Sequence, residues 1–171
     1  MIRQVDAGWN VQMLVDQLAK NPQLWNEHPE RTEASESPHH GVSDIWVRYN
    51  PTGENVEHVS EWYPCVHAIP AAWSLAKRVM RRSGAKRLGG VLLTRIPPGG
   101  EVKPHIDGGW HAGFYEKYAV QIKGTRDQGF FFDDSELHPV AGDVYTFDNS
   151  KSHWVKNETE HERITLIVCV R

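Results

Sequence analysis

At 171 residues the chain has the length of one domain and can bury a sizeable core. Hydrophobic residues at 39% and charged residues at 24% are ordinary for a globular protein, and a formal net charge of −3 gives no electrostatic footprint for nucleic acid. Two cysteines, Cys65 and Cys169, exclude a disulfide framework, and no stretch approaches the roughly 18 apolar residues of a membrane span.

Met1-Ile-Arg-Gln-Val-Asp6 has no apolar signal segment, so a soluble protein in a reducing, cytoplasmic setting is expected, without nucleic-acid or membrane partners. Val11, Leu14, Val15 and Leu18 recur at helical spacing behind Asn10, whose side chain suits an N-cap. Pro22 interrupts, and Gln23 to Glu27 read as a further short helical turn. The polar segment His28 to Gly41, with Pro29, Pro38 and the pair His39-His40, is expected as an exposed connection long enough to act as a flap. Asp44 to Tyr49 alternates as a strand, and Asn50-Pro-Thr-Gly53 closes it as a turn.

Pro70 opens a helix to about Ser83, and Gly84 stops it. Its expected apolar stripe is Trp73, Leu75, Ala76, Val79 and Met80, with Lys77, Arg78, Arg81 and Arg82 on a solvated face. Seven short strand-like runs follow: Gly90 to Ile96, Lys103 to Asp107, Lys117 to Gly124, Gly129 to Asp133, Asp143 to Phe147, His153 to Asn157 and Arg163 to Val170. Gly, Pro, Asn and Asp punctuate them, which points to an antiparallel sandwich or barrel. No internal repeat or linker divides the chain. One domain, 1–171, is expected, with 1–87 as a helical and loop support region and 88–171 as the motif-bearing core.

Chemistry concentrates where the Pro- and Gly-rich loop from Pro97 empties into His105-Ile106-Asp107. In an extended chain His105 and Asp107 share a face and make two thirds of a two-His-one-carboxylate site, which suits non-haem Fe(II). His153, after a polar turn at Asn149 to Ser152, is the candidate third ligand, with His111 and His138 as rivals. His28, His39, His40, His58, His67 and His161 lie in polar or loop contexts and are expected on the surface. Trp110 and His111, in the glycine-flanked loop beyond Asp107, are candidate substrate contacts.

Ten residues after His153, Arg163 opens the most strand-like run. Arg163, Thr165, Ile167 and Cys169 fall on one face, and Ile164, Leu166, Val168 and Val170 on the other. A guanidinium projecting into an otherwise apolar interior needs an anion, and a bound carboxylate ligand would supply one. Lys117 to Ile122 also alternates, setting Tyr118, Val120 and Ile122 against Lys117, Ala119 and Gln121; either set could face inward.

His105-x-Asp107, the distant His153, and Arg163 followed two places later by the hydroxyl of Thr165 together resemble the Fe(II)/2-oxoglutarate-dependent dioxygenases. Gly99-Gly-Glu-Val-Lys-Pro-His-Ile-Asp107 with Glu162-Arg-Ile-Thr-Leu-Ile-Val168 resembles, more narrowly, their aspartyl/asparaginyl β-hydroxylase-like branch, over about Leu88 to Arg171. The best-known membrane-bound members of that branch lack the carboxylate ligand, whereas Asp107 is present here. The resemblance implies a mostly β fold with N-terminal helices, a double-stranded β-helix of the jelly-roll, cupin-like type. It implies Fe(II), 2-oxoglutarate and O2, with release of succinate and CO2. Arg163 would hold the distal carboxylate of 2-oxoglutarate with Thr165 as helper, and Tyr118 or Gln121 would add a phenol or an amide. The implied substrate is a residue in a peptide or protein, a free amino acid or another small molecule. Two other readings are a metal-binding cupin without oxygen chemistry, which has no need of Arg163, and a catalytically silent binding module, which has no need of all three ligands.

Overall fold

The computed structural model describes residues 1–171, and eleven strands dominate it. They are β1 (Ile2–Asp6), β2 (Ser43–Tyr49), β3 (Glu61–Trp62), β4 (Leu88–Ile96), β5 (Glu101–His105), β6 (Glu116–Lys123), β7 (Gln128–Phe132), β8 (Glu136–Leu137), β9 (Val144–Phe147), β10 (His153–Asn157) and β11 (Arg163–Val170). A seven-stranded sheet has the order β1-β9-β6-β11-β4-β2-β3, and a four-stranded sheet the order β5-β10-β7-β8. Every pairing is antiparallel. This is the double-stranded β-helix.

Two helices, α1 (Gln12–Lys20) and α3 (Pro70–Ser83), cover the outer face of the large sheet. The Asn10 side chain accepts the Gln12 N–H at 3.0 Å and satisfies a donor that the helix leaves free. In α3 the buried positions are Ala71, Ala72, Leu75, Ala76 and Val79. Trp73, expected on that stripe, is exposed: it lies about 100° past Ala72 on the helix and so falls off the 72-75-76-79 ridge. Gly84 ends the helix at φ +74°, a conformation an L side chain resists. The remaining helices, α2 (Glu30–Glu33) and α4 (Trp110–Phe114), are single turns, and no helix is long and apolar enough to cross a membrane.

Strand β11 lies at the centre of the large sheet and has two working faces. Ile164, Leu166, Val168 and Val170 join Val91, Leu93, Val120 and Ile122 in the core beneath the helices. Each such burial contributes about 1.5–3 kcal/mol. Its other face looks toward the small sheet, where a second core gathers Ile96, Val102, Phe130, Phe132, Tyr145, Phe147 and Val155.

Residues 1–87 provide three strands of the large sheet as well as its helices. Strand β1 had no signature in the sequence: Ile2-Arg-Gln-Val-Asp6 is short and mostly polar. It is fixed by pairing with β9, Ile2 opposite Phe147 and Arg3 opposite Thr146. The segment from His28 to Gly41 is mostly exposed, as its polarity suggested, but it is anchored rather than free. Thr32 and His39 are buried, and the Lys103 N–H donates to Pro38 O at 2.9 Å, tying the segment to β5.

Candidate metal centre

His105 ends β5 and His153 begins β10, and the two strands pair so that these residues stand opposite each other. Their rings lie 4.3 Å apart. Each Nδ1 sits 2.8 Å from a carbonyl oxygen, that of Lys103 for His105 and of Lys151 for His153. A carbonyl can only accept, so each Nδ1 carries the proton and each Nε2 keeps its lone pair for a metal. Burial lowers the His153 pKa and keeps its ring neutral at neutral pH.

Asp107 lies two residues past the end of β5 rather than within it, and its N–H donates to Asn149 O at 3.1 Å. That bond brings the loop back over the imidazoles, with Asp107 Oδ1 3.4 Å from His105 Nε2. The other carboxylate oxygen meets the Lys117 ammonium. Burial opposes ionisation of Asp107, yet the Lys117 ammonium against its other oxygen holds its carboxyl well below the usual range. One ligand atom from each of His105, Asp107 and His153 lies within 4.8 Å of the others. Two neutral imidazoles and an ionised carboxylate, all on one side of an open chamber, are a donor set that fits Fe(II).

The rival ligands are elsewhere. His111 Nε2 accepts the Gly90 N–H at 3.0 Å, and burial pushes that ring down to about 4. His138 packs beside Phe131 and Glu136.

Arg163 lines the same chamber from the opposite sheet. It is only 3% exposed, and its immediate partners are neutral: Nη1 donates to Thr165 Oγ1 at 2.9 Å and Nη2 to Tyr145 Oη at 3.1 Å. Its Nε has no partner, and no carboxylate of the protein pairs with it. A buried guanidinium left this way is costly, and an anion in the chamber would satisfy it. Gln121 stands behind these groups. Its Oε1 is 3.3 Å from both Tyr145 Oη and Thr165 Oγ1, and its amide donates to Lys123 O and Ile164 O, so it fixes the hydroxyls from behind. The inward set of β6 is therefore Lys117, Ala119 and Gln121. Tyr118 packs on the helix side and does not reach the chamber; the phenol beside Arg163 belongs to Tyr145.

A further wall comes from α2 and the chain after it. Arg31 donates to both oxygens of Asp44, Nε to Oδ2 at 2.8 Å and Nη2 to Oδ1 at 3.2 Å, and Nη2 also reaches Thr94 Oγ1 at 3.1 Å. Asp44 is fully buried and accepts the Thr94 hydroxyl as well. Arg31 Nη1 lies 3.0 Å from His39 Nε2, and the His39 ring packs edge-on against His105 at 4.6 Å. Burial first, and then the Arg31 charge, push the His39 ring down to about 2, so it is neutral. His39, expected on the surface, is part of the metal chamber's wall because Arg31 holds it there. Of the two expected substrate contacts, His111 lines a cavity adjoining the chamber, whereas Trp110 stacks on Phe114 at 4.9 Å outside it. Cys65 and Cys169 are buried, and burial pushes both thiols up to about 11, which removes them as nucleophiles.

A double-stranded β-helix with a two-His-one-carboxylate cluster on one side and an unneutralised arginine across the chamber defines an Fe(II)- and 2-oxoglutarate-dependent oxygenase. The family model described as aspartyl/asparaginyl beta-hydroxylase matches residues 2–171. The chain belongs to that family. Among solved structures it is similar to a 2OG-Fe(II) oxygenase family protein from Burkholderia pseudomallei, with a TM-score of 0.67 and 14% identity over 98% of this chain and 82% of that one. A prolyl hydroxylase from Trichoplax adhaerens in complex with a hypoxia inducible factor peptide fragment gives 0.64 and 12% identity, covering 99% and 82%. A Pseudomonas putida prolyl-4-hydroxylase gives 0.58 and 16% identity, covering 99% and 91%. At these identities the likeness shows the fold. No curated protein matches the chain.

Proposed function

We propose that this oxygenase hydroxylates an amino-acid residue within a peptide or protein. His105, Asp107 and His153 would hold Fe(II), and Arg163 with Thr165 would hold the distal carboxylate of 2-oxoglutarate. Bound together, Fe(II), 2-oxoglutarate and O2 supply a two-electron oxidation: one oxygen atom converts a substrate C–H to C–OH, and the other enters 2-oxoglutarate, which leaves as succinate and CO2. The chain's own residues place the reactants. The Nδ1 bonds of the two histidines fix their rings, Gln121 and Tyr145 fix the arginine end, and Phe130, Phe147 and Val155 keep the chamber wall apolar.

The observation that carries the reading is Arg163, buried, without an anion and facing the metal residues across one chamber. A metal-binding cupin without 2-oxoglutarate would gain nothing from that unsatisfied charge. Peptide substrates are favoured because a fold-related enzyme has been solved with a peptide fragment and because the chamber opens through adjoining cavities. Two free thiols agree with a reducing, cytoplasmic setting.

The test is anaerobic addition of Fe(II), then 2-oxoglutarate, followed by absorption, and then admission of oxygen with succinate measured. A visible charge-transfer band that needs both additions is expected, with slow succinate release. Fe(II) binding with no binding of 2-oxoglutarate would remove the oxygenase reading.

A further inference from the structure

Three cavities adjoin one another. The metal chamber shares Arg31, Leu92, Asp107, Lys117 and Ile167 with a second cavity of about 160 Å³. That one shares Arg31, Trp46, Tyr49 and Asn55 with an outer cavity of about 440 Å³. The shared walls trace a route to the metal residues along β2 and past Asp107, with Arg31 bordering all three spaces. Trp110 lies off this route.

The outer cavity has its own chemistry. Trp46, Tyr49 and Tyr63 line it with rings, and the first two lie 4.5 Å apart. Both phenols are engaged, Tyr49 Oη donating to Asn55 Oδ1 at 3.2 Å and Tyr63 Oη to Asn50 O at 2.5 Å. The phenols therefore offer no free hydroxyl, and because Tyr49 is buried against Trp46, His58 and His111, the partly exposed rings left to the cavity are those of Trp46 and Tyr63. Glu30 and Glu54 add two carboxylates to the same lining, and neither is ion-paired. Arg31, the guanidinium in the wall, is matched by Asp44, and His28 stands beside Tyr63 in the same lining. Ring faces beside unpaired carboxylates favour an organic cation with an apolar stem: the rings take the stem and the near side of the charge, and the carboxylates take the rest.

We propose that this outer cavity binds the side chain of a lysine or arginine that lies close, in the peptide substrate, to the residue oxidised at the metal centre. The inference rests on the hydroxylase reading for its position in a substrate, but the cavity's preference for a cation can be measured without turnover.

Two measurements test it on the full chain. In the first, N-acetyl-lysine methylamide, N-acetyl-arginine methylamide and the neutral N-acetyl-norleucine methylamide are titrated while the indole signals are followed by NMR. The basic probes are expected to shift the Trp46 indole at millimolar concentration and the neutral one to leave it still. Glu30→Gln/Glu54→Gln should weaken the basic probes about tenfold, the equivalent of one charged contact, and Trp46→Ala should weaken them with both carboxylates in place. Equal binding of the neutral probe, or unchanged binding in the Glu30→Gln/Glu54→Gln variant, overturns the proposal. In the second, the enzyme with Fe(II), ascorbate and 2-oxoglutarate is given a mixed peptide library, and products one oxygen heavier are sequenced. Lysine or arginine is expected within a few residues of the oxidised position. Succinate release with products that show no basic preference overturns the subsite while the oxygenase reading stands. Oxidation of free lysine or arginine in place of any peptide overturns the peptide assignment. Selective binding of the basic probes together with no binding of 2-oxoglutarate supports the cavity and removes the oxygenase reading.

Discussion

His105 and His153 face each other across β5 and β10, and each is held by the same device, an Nδ1–H donated to the carbonyl two residues earlier in the chain. Strand pairing thus sets the distance between the rings, and a local backbone bond sets the tautomer of each. Both nitrogens that face the chamber are thereby aimed at one point, as a metal site would need.

His105→Ala, Asp107→Ala and His153→Ala should each weaken Fe(II) binding by more than about 100-fold. The fold should persist, since these side chains line a chamber rather than either core. Anaerobic calorimetry reads the affinity and a thermal melt reads the fold. Wild-type affinity in His153→Ala would refute its place as third ligand.

Arg163→Lys keeps the charge but loses the planar fork that grips a carboxylate and reaches Thr165 and Tyr145 at once. A charge-assisted contact of this kind is worth about 1.5–3 kcal/mol, so 2-oxoglutarate affinity should fall by about one to two decades. Fe(II) affinity should stay the same. Equal 2-oxoglutarate affinity in the two proteins would sink the assignment.

Asp44→Ala leaves Arg31 without its carboxylate. Breaking a buried pair costs about 3–5 kcal/mol, and because Arg31 is partly solvated the low end of that range is expected here. Arg31→Met/Asp44→Leu should recover most of the loss, because two apolar groups leave no orphan charge. Urea denaturation of the single and double variants measures both; a double variant no better than Asp44→Ala would refute the ion-pair account.

His39 and His111 are held neutral, chiefly by burial, near 2 and 4 respectively. Their folded values lie below the free imidazole's, so the unfolded chain binds more protons as pH falls below about 6.5. Each therefore removes up to about 1.4 kcal/mol of stability per pH unit beneath that point. His111 stops contributing near pH 4, and His39 only near pH 2. Denaturation midpoints of the metal-free protein from pH 7.5 to 5 should fall on the acid side, and His39→Asn should flatten the slope. An unchanged slope in that variant would mean His39 is not buried as described.

Much of this site could be read before the fold was known, for reasons particular residues make plain. The alternation of β11 separates Arg163 and Thr165 from Ile164 and Leu166, and the sheet uses both faces as the pattern implies. His105 and Asp107 do converge, though not by sharing a strand face: β5 ends at His105, and the bond to Asn149 O turns Asp107 inward. The choice between Tyr118 and Gln121 had no answer in the sequence, because alternation separates the two faces of β6 without saying which lies under the helices and which lines the chamber. Arg31 and His39 escaped notice since a polar run reads as solvent-facing. What anchors it are partners far along the chain, Asp44 and Thr94, which lie 13 and 63 positions from Arg31.

The short strand β1 has a consequence for how the protein behaves among copies of itself. Ile2 to Asp6 occupy the outer edge of β9, a strand whose residues include Tyr145, the phenol beside Arg163. Without β1, the N–H and C=O groups of β9 would stand open along a sheet margin and offer a template for strand addition by a second molecule. Trimming the first six residues would therefore be felt first as self-association. These few residues act as the guard of an adhesive edge.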